Sequence, residues 1–255
     1  MNMFSKAIVR VPCKNIMKGI TSANLGSPDY HLALTQHREY VNALKKCGLD
    51  ITILEADDDY PDSTFVEDTA LLTPHCAIIT NPGAKTRKGE IIEIKEVLSR
   101  FYSKTENIVE PGTVEAGDIM MVGSHFYIGL SERTNIEGTR QVIAILNRYE
   151  MTGSIVNFKK VLHLKSGVTY LENNNLVASG EFISKPEFQN YNILKIEEDE
   201  SYASNCVWIN GIVLIPKGYP KSKSTIEEAG YSTIELDVSE FRKLDGGLSC
   251  LSLRF

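Results

Sequence analysis

Short apolar runs recur in pairs along this chain, each pair split by a few polar or glycine positions. Runs of this kind read as β-hairpins. They lie at Thr69 to Leu72 with Ala77 to Thr80, at Ile119 to Val122 with Phe126 to Leu130, at Val168 to Leu171 with Leu176 to Ser179, and at Cys206 to Ile209 with Ile212 to Ile215. A fifth run, Leu248 to Leu253, has no chain left to supply a partner, and Ala7 to Val11 is the strand that could pair with it from the other terminus. Between these runs the period changes to that of a helix. Tyr30 to Cys47 carries Leu34, Val41 and Leu44 on one side and is stopped by Gly48, ahead of a strand at Asp50 to Leu54. Further helices are predicted over Glu90 to Phe101 and Ile136 to Tyr149, with a shorter one at Lys223 to Ala229.

The hairpins return at roughly 40 to 50 residues, a spacing that marks arrays and propellers. The expected architecture is therefore α/β: one closed ring of five β-rich, helix-backed units in a single domain, residues 1–255, with no stretch resembling a linker. The alternative is a plain α/β sandwich in which the spacing is coincidence. In a ring, the segments that enter equivalent strands converge on the axis. Those segments contain Glu67-Asp68, Glu115 to Asp118, His163 to Ser166, Ser204 to Cys206 and Gly246 to Cys250, so the axis is where a site is expected.

Composition narrows the partners. With 42% hydrophobic and 24% charged residues the chain is an ordinary globular one, which sets aside disordered and fibrous classes. A net charge of −6 argues against nucleic acid, whose binding needs a basic face, and suits a small cationic ligand. No run is long enough to span a membrane. The stretch from Met1 to Lys6 lacks a signal-peptide layout because Arg10, Pro12 and Lys14 break up the apolar run after it, so a cytoplasmic location is expected. Five cysteines without CxxC spacing suit a reduced compartment, and the five histidines form no HxxxH or Cys/His cluster. No metal or organic cofactor is expected.

Cys250, His163 and Glu115 have the parts of a nucleophile, a proton carrier and an orienting carboxylate. Asp62, Glu67 and Asp68 add acids to an otherwise apolar segment, and a planar guanidinium is the cation whose N–H edges match carboxylates. Its carbon is a poor electrophile, which calls for a thiolate rather than a serine hydroxyl. Arg87 and Arg133, in polar loops after second strands, could clamp an anionic end of the ligand. Each residue also has a structural reading. Cys250 could be a small core residue, His163 a hydrogen-bonded core histidine, the acids strand-end or turn charges, and the arginines solvated.

Taken in order, Phe65-Val66-Glu67-Asp68, Gly112-Thr113-Val114-Glu115-Ala116-Gly117-Asp118, Gly129-Leu130-Ser131-Glu132-Arg133-Thr134-Asn135, Leu162-His163-Leu164-Lys165 and Asp245-Gly246-Gly247-Leu248-Ser249-Cys250 resemble the dimethylarginine dimethylaminohydrolases. These are guanidine-modifying enzymes with the five-bladed α/β propeller called a pentein, built from ββαβ-type repeats around a central channel. The resemblance spans essentially the whole chain. It implies Cys250 as nucleophile, His163 as acid and base, and Glu115 as the supporting carboxylate. It further implies that Asp68, with Asp62 and Glu67, holds the guanidinium, that Arg87 and Arg133 bind the α-carboxylate, and that Phe65 contacts the ligand. Main-chain carbonyls at Ile20 and Leu244 would hold the α-amino group, and Lys18 to Ser22 would form a lid. The implied reaction hydrolyses Nω,Nω-dimethyl-L-arginine, or the monomethyl form, to L-citrulline and the methylated amine through a thiouronium on Cys250, without cofactor. A homodimer is left open. The rival readings are arginine deiminase, whose extra helical insertion finds no room here, and a non-catalytic pentein that only binds a partner.

Overall fold

Five three-stranded sheets arranged as blades around one axis make up the computed structural model, which describes residues 4–255. Met1 to Met3, the start of the stretch read for a leader, lie outside the described residues. Strands and helices run in the order β1 (Lys6–Arg10), α1 (Tyr30–Lys46), β2 (Asp50–Leu54), β3 (Ala70–Leu72), β4 (Ala77–Ile79), α2 (Ile91–Leu98) and β5 (Thr105–Asn107). Next come β6 (Ile119–Val122), β7 (His125–Leu130), α3 (Ile136–Arg148), β8 (Thr152–Asn157), β9 (Val168–Tyr170), β10 (Asn175–Ser179) and β11 (Asn192–Ile196). The chain finishes with β12 (Val207–Ile209), β13 (Ile212–Pro216), α4 (Pro220–Glu228), β14 (Ser232–Leu236), α5 (Ser239–Arg242) and β15 (Leu253–Arg254).

In every blade the middle strand pairs antiparallel with the inner strand and parallel with the outer one. A parallel pair needs a crossover, and α1, α2, α3 and α4 supply it. The blade of β9 to β11 makes its crossover with 3₁₀ turns at Gly180–Ser184 and Pro186–Phe188 instead, where buried Phe182 and Phe188 take the place of a helix face. Local signals account for the element ends. Asp29 caps α1 by accepting from Leu32 N at 2.8 Å, Gly48 comes after it at φ +86°, and Asn135 caps α3 by accepting from Gly138 N. The β12–β13 hairpin turns on Asn210-Gly211, both at positive φ, the pair that a two-residue turn favours.

The four predicted hairpins are present, and the first blade closes across the termini. Ala7 pairs with Arg254 and Ile8 with Leu253, while Ser5 N and Lys6 N both donate to Phe255 O at 2.9 and 2.7 Å. One expectation is corrected. Leu248 to Leu253 is not a continuous strand, because Ser249–Leu251 forms a 3₁₀ turn and only Leu253–Arg254 is extended. Leu248, Leu251 and Leu253 are buried all the same, so an apolar spacing that satisfies a strand is met here by a turn. Five apolar clusters fill the spaces between blades and helices. The polar turns are thereby left to the axis. Among the described residues no helix is long and apolar enough to cross a membrane.

Candidate active site

A 3₁₀ turn precedes the inner strand of each blade: Val66–Thr69, Ala116–Asp118, Leu164–Ser166, Glu198–Ser204 and Ser249–Leu251. Side chains of one turn fix the backbone of another. Asp68 Oδ1 accepts from Gly117 N, Asp118 Oδ1 from Leu164 N, and Asn205 Oδ1 from Ser249 N, each at 3.0 Å. Buried N–H groups at turns need such partners, and by supplying them across blades these residues set the positions of the side chains on the axis. Gly117 has no room for a side chain between two of these turns. A Cβ there would stand 2.8 Å from both Asp68 Oδ1 and His163 Nδ1.

On one side of these turns is a pocket lined by Asp62, Phe65, Asp68, Arg87, Glu115, Arg133, His163 and Cys250, with Ile20 and Leu244 at its edge. His163 Nε2 lies 2.9 Å from Glu115 Oε2, and Ala84 N donates to the other carboxylate oxygen at 3.1 Å. Burial alone would lower the imidazole, but Asp68, Asp118 and Glu115 together raise it to about 9. Glu115 is held below the usual carboxylate range: burial opposes its charge, and the hydrogen bond and charge of His163 prevail. The pair is therefore imidazolium and carboxylate at neutral pH.

Cys250 is 9% exposed, and its sulfur accepts from Gly247 N at 3.4 Å. Burial, then the charges of Glu67 and Asp68, push its thiol up to about 12, so with the pocket empty the sulfur is protonated. The two glycines before it are a packing requirement. A Cβ on Gly246 would meet Phe65 at 2.3 Å, and one on Gly247 would meet Asn205 Oδ1 at 2.4 Å.

The two arginines differ. Arg87 is buried, donating through Nη1 to Asp68 Oδ2 at 2.7 Å, through Nε to Glu90, and through Nη2 to Glu90 Oε2 and Phe65 O at 2.8 and 2.9 Å. That leaves one of its five N–H donors, on Nη1. Arg133, half-buried, lines the pocket and has no side-chain partner among the described residues. Ile20 N donates to Asp62 Oδ1 at 3.0 Å, Thr21 Oγ1 to Lys243 O at 2.7 Å and Ser22 N to Asp245 Oδ2 at 2.6 Å, which ties the 18–22 segment down across the pocket rim.

Glu67 is placed differently from the expectation that it would share the guanidinium with Asp68. It does not line this pocket. Its Oε1 accepts from Lys165 Nζ at 2.7 Å and Arg254 Nη2 at 3.0 Å, and its Oε2 from Ser249 Oγ at 2.7 Å, on the side of a second and larger cavity. That cavity contains neither Cys250, His163 nor Glu115, so the chemistry belongs to the smaller pocket. Asp68, Glu115 and His163 bring ligand atoms within 4.8 Å of one another. Those atoms are engaged by Arg87, Gly117 N and the imidazolium proton. The group is thus a balanced ion network.

A family model described as N,N dimethylarginine dimethylhydrolase, eukaryotic, matches residues 27–202. The N(G),N(G)-dimethylarginine dimethylaminohydrolase of Pseudomonas aeruginosa is 58% identical over 254 residues, covering 99% of this chain and all of the relative. The chain belongs to the dimethylarginine dimethylaminohydrolase family. The Streptomyces coelicolor member is 32% identical, over 98% of this chain and 96% of its own. Among solved structures, a mutant of the Pseudomonas aeruginosa protein complexed with citrulline superposes at a TM-score of 0.98, with 57% identity over 99% of this chain and all of that one. The N-terminal domain of ArgZ, 18% identical with a TM-score of 0.88 over 98% of this chain and 97% of its own, shares the fold. The five-bladed pentein expected from the sequence is the fold of this family member.

Gly117, Asp118 and Ser249 lie in the expected axial segments without having been given roles, and Glu90 behind Arg87 carried no signal; Gly117 packs against the His163 ring, Asp118 holds the His163 turn and Ser249 stands beside the thiol. Asp118 Oδ2 also accepts from Ser131 Oγ at 2.6 Å, and Ser131 Oγ in turn accepts from Arg133 N at 3.0 Å. One buried acid thus positions both the histidine turn and the arginine loop. Recurrence of small and acidic residues at equivalent turn positions was the available clue. Asn81 donates to Gly112 O through its side chain and bridges to Val114, which gives it a place in the scaffold.

Proposed function

We propose that this chain hydrolyses Nω,Nω-dimethyl-L-arginine and Nω-monomethyl-L-arginine to L-citrulline and the methylated amine, with Cys250 as nucleophile. The observation that carries the reading is one pocket in which a thiol, an imidazolium–carboxylate pair, the Asp68 carboxylate and a free arginine fork all meet. A guanidinium enters with its N–H edge toward Asp68 and Asp62. Arg133, helped by the last Nη1–H of Arg87, receives the α-carboxylate. Among the described residues no backbone or side-chain donor reaches the carbonyl oxygens of Ile20 and Leu244, and they are available to the α-amino group under the 18–22 lid.

The cation changes the thiol. A positive charge beside the sulfur favours thiolate, so the nucleophile forms when substrate is bound and its proton leaves to solvent. The thiolate adds to the guanidinium carbon, and as the C–N bond breaks, His163 gives its proton to the departing amine. A thiouronium on Cys250 remains. Neutral His163 then takes one proton from water as the oxygen adds to the same carbon, and when the C–S bond breaks the remaining hydroxyl proton leaves with the sulfur or to solvent, releasing citrulline. The full reading is a cytoplasmic enzyme of one catalytic domain, residues 1–255, acting on a free small molecule and not on nucleic acid or a membrane, with a homodimer as its candidate assembly.

Citrulline formation from dimethylarginine and from arginine, measured side by side, tests the proposal. Turnover of the methylated substrate well above that of arginine is expected, and none from Cys250→Ser. Equal or faster turnover of arginine would overturn the substrate assignment in favour of a deiminase, and an active Cys250→Ser would remove the thiol from the mechanism.

A further inference from the structure

Behind Cys250, on the face away from the substrate pocket, three buried charges meet from three parts of the chain. Glu67 comes from the turn before β3, Lys165 from the turn before β9, and Arg254 from β15. Glu67, Lys165 and Arg254 side chains are 4%, 16% and 14% exposed. Both cations are held on Glu67 Oε1, and Arg254 Nη1 also donates to Ser249 O, Ser252 O and Ser252 Oγ at 3.1, 3.0 and 2.8 Å. Ser249 Oγ donates to Glu67 Oε2 at 2.7 Å and stands 4.0 Å from Cys250 Sγ. A single hydroxyl therefore separates the carboxylate from the sulfur.

None of the three charges lines the substrate pocket, so they do not bind the ligand there. As a source of stability the cluster is a poor choice, because apolar side chains of similar volume commonly serve as well as a buried ion group. What it does provide is a fixed field at an atom that must change its charge. We propose that Glu67, Lys165 and Arg254 form a charge cluster that sets when Cys250 becomes a thiolate, Glu67 holding the proton on and the two cations favouring its loss, with Ser249 as the hydroxyl between. This inference rests on the reading of Cys250 as the nucleophile.

The other groups facing Cys250 are accounted for. Asp68 adds to the effect of Glu67, while Lys165 opposes both. The remaining charges of the substrate pocket are the His163–Glu115 pair, Asp62 and Asp245 against Arg87 and Arg133. Tyr202, from the turn before β12, is pushed far above the ordinary phenol range chiefly by burial and stays neutral. Those groups are unchanged when the rear cluster is mutated, so differences between such variants report the cluster alone. The same cluster faces the second cavity, where Glu67, Lys165, Ser249 and Arg254 form part of the wall. It is thus reached from the opposite side of the ring to the substrate.

Thiolate absorbance near 240 nm, titrated in the substrate-free enzyme and corrected with Cys250→Ser, tests the assignment. Glu67→Gln keeps the shape and a hydrogen-bonding group for Ser249 and removes one negative charge. Its titration should move down by about one to two pH units, the size of a unit charge at this range in a partly screened interior. Adding Lys165→Met removes a positive charge as well and should bring the titration back toward wild type. A purely structural cluster would be damaged further by the second substitution and show no reversal. An unmoved titration in Glu67→Gln, or a double variant shifted further down, overturns the proposal. If Glu67→Gln does not fold, Lys165→Met alone carries the test: its rate of Cys250 alkylation by iodoacetamide at about pH 9.5, which follows the thiolate fraction, must be lower than in wild type, and an equal or higher rate refutes it. Because no turnover is measured, failure here leaves the nucleophile assignment standing, and that assignment fails only on an active Cys250→Ser.

Discussion

Replacing Glu115 with Gln removes one charge from the pair that keeps the proton on His163. Glu115 Oε2 is 2.9 Å from His163 Nε2, and Oε1 must still accept from Ala84 N. The amide oxygen therefore takes the Ala84 side, and the NH₂ group faces the imidazole, where it favours the unprotonated ring. Charge centres about 4 Å apart at an effective dielectric of about 20 interact by ~4 kcal/mol. At ~1.4 kcal/mol per pH unit this is about three units. Starting from a value of about 9 in the intact enzyme, with Asp68 and Asp118 still in place, His163 should titrate between about 6 and 7 in the variant. The rate of amine departure needs the protonated ring. In a profile of kcat for citrulline formation from pH 6 to 10, the alkaline limb should therefore fall from near pH 9 to near neutrality, with kcat at pH 8 reduced about tenfold or more. A limb that stays in place while the whole profile drops would refute the electrostatic argument and leave Glu115 as an orienting group only. The same linkage bears on stability. A histidine whose folded value is raised stabilises the fold fully below about pH 6.5, and that contribution is lost as the pH rises through about 9.

Three other outcomes are expected. Arg133→Met removes the one free guanidinium fork in the pocket and should raise KM for dimethylarginine about ten- to a hundredfold while kcat changes little; a fall in kcat with KM unchanged would place Arg133 elsewhere in the mechanism. Deleting residues 253–255 removes the β15–β1 pairing and the packing of Phe255 on Phe101 and Tyr102 at 5.3 and 5.5 Å. The cost is on the order of 5 kcal/mol, enough to exhaust the stability of many domains, and retention of a cooperative thermal transition near the wild-type temperature would argue against ring closure as a stabilising element. His37 is buried with its Nε2 unpartnered, and burial lowers it to about 4. The unfolded chain therefore binds this proton first, and the contribution of neutral His37, complete above about pH 6.5, disappears as the pH falls toward 4. Urea midpoints of His37→Gln should depend less on pH across that interval than those of wild type, and parallel curves would exclude His37 as a source of acid sensitivity.

The repeated pairs of apolar runs were legible because each inner and middle strand is buried on the blade interfaces, which forces Val, Ile, Leu and Ala into short continuous stretches. Of the outer strands, only Asp50–Leu54 was. Thr105–Asn107 and Ser232–Leu236 carry Thr, Glu, Asn and Ser because they are edges with half-exposed faces, and such residues look like loop in a linear reading. The fourth crossover left no helical period since two buried phenylalanines in 3₁₀ turns take over the packing of a helix. The last run misled in a different way: Leu248, Leu251 and Leu253 are as buried in a turn as they would be in a strand, and burial is all that an apolar pattern reports.

What the sequence by itself determined is the inventory and the order: a thiol, a histidine, several acids and two arginines at the entries of repeated hairpins, in a chain whose recurring motifs and spacing identify its family and ring. Tertiary structure decided which way each side chain faces and what charge it bears. Glu67 and Asp68 are adjacent in sequence, yet one is claimed by Lys165 and Arg254 on the far cavity and the other by Arg87 and Gly117 at the substrate pocket. The partners that make this choice lie 98 and 187 residues from Glu67. Only closure of the ring brings them within hydrogen-bonding distance, and only burial there lets their charges act strongly on Cys250.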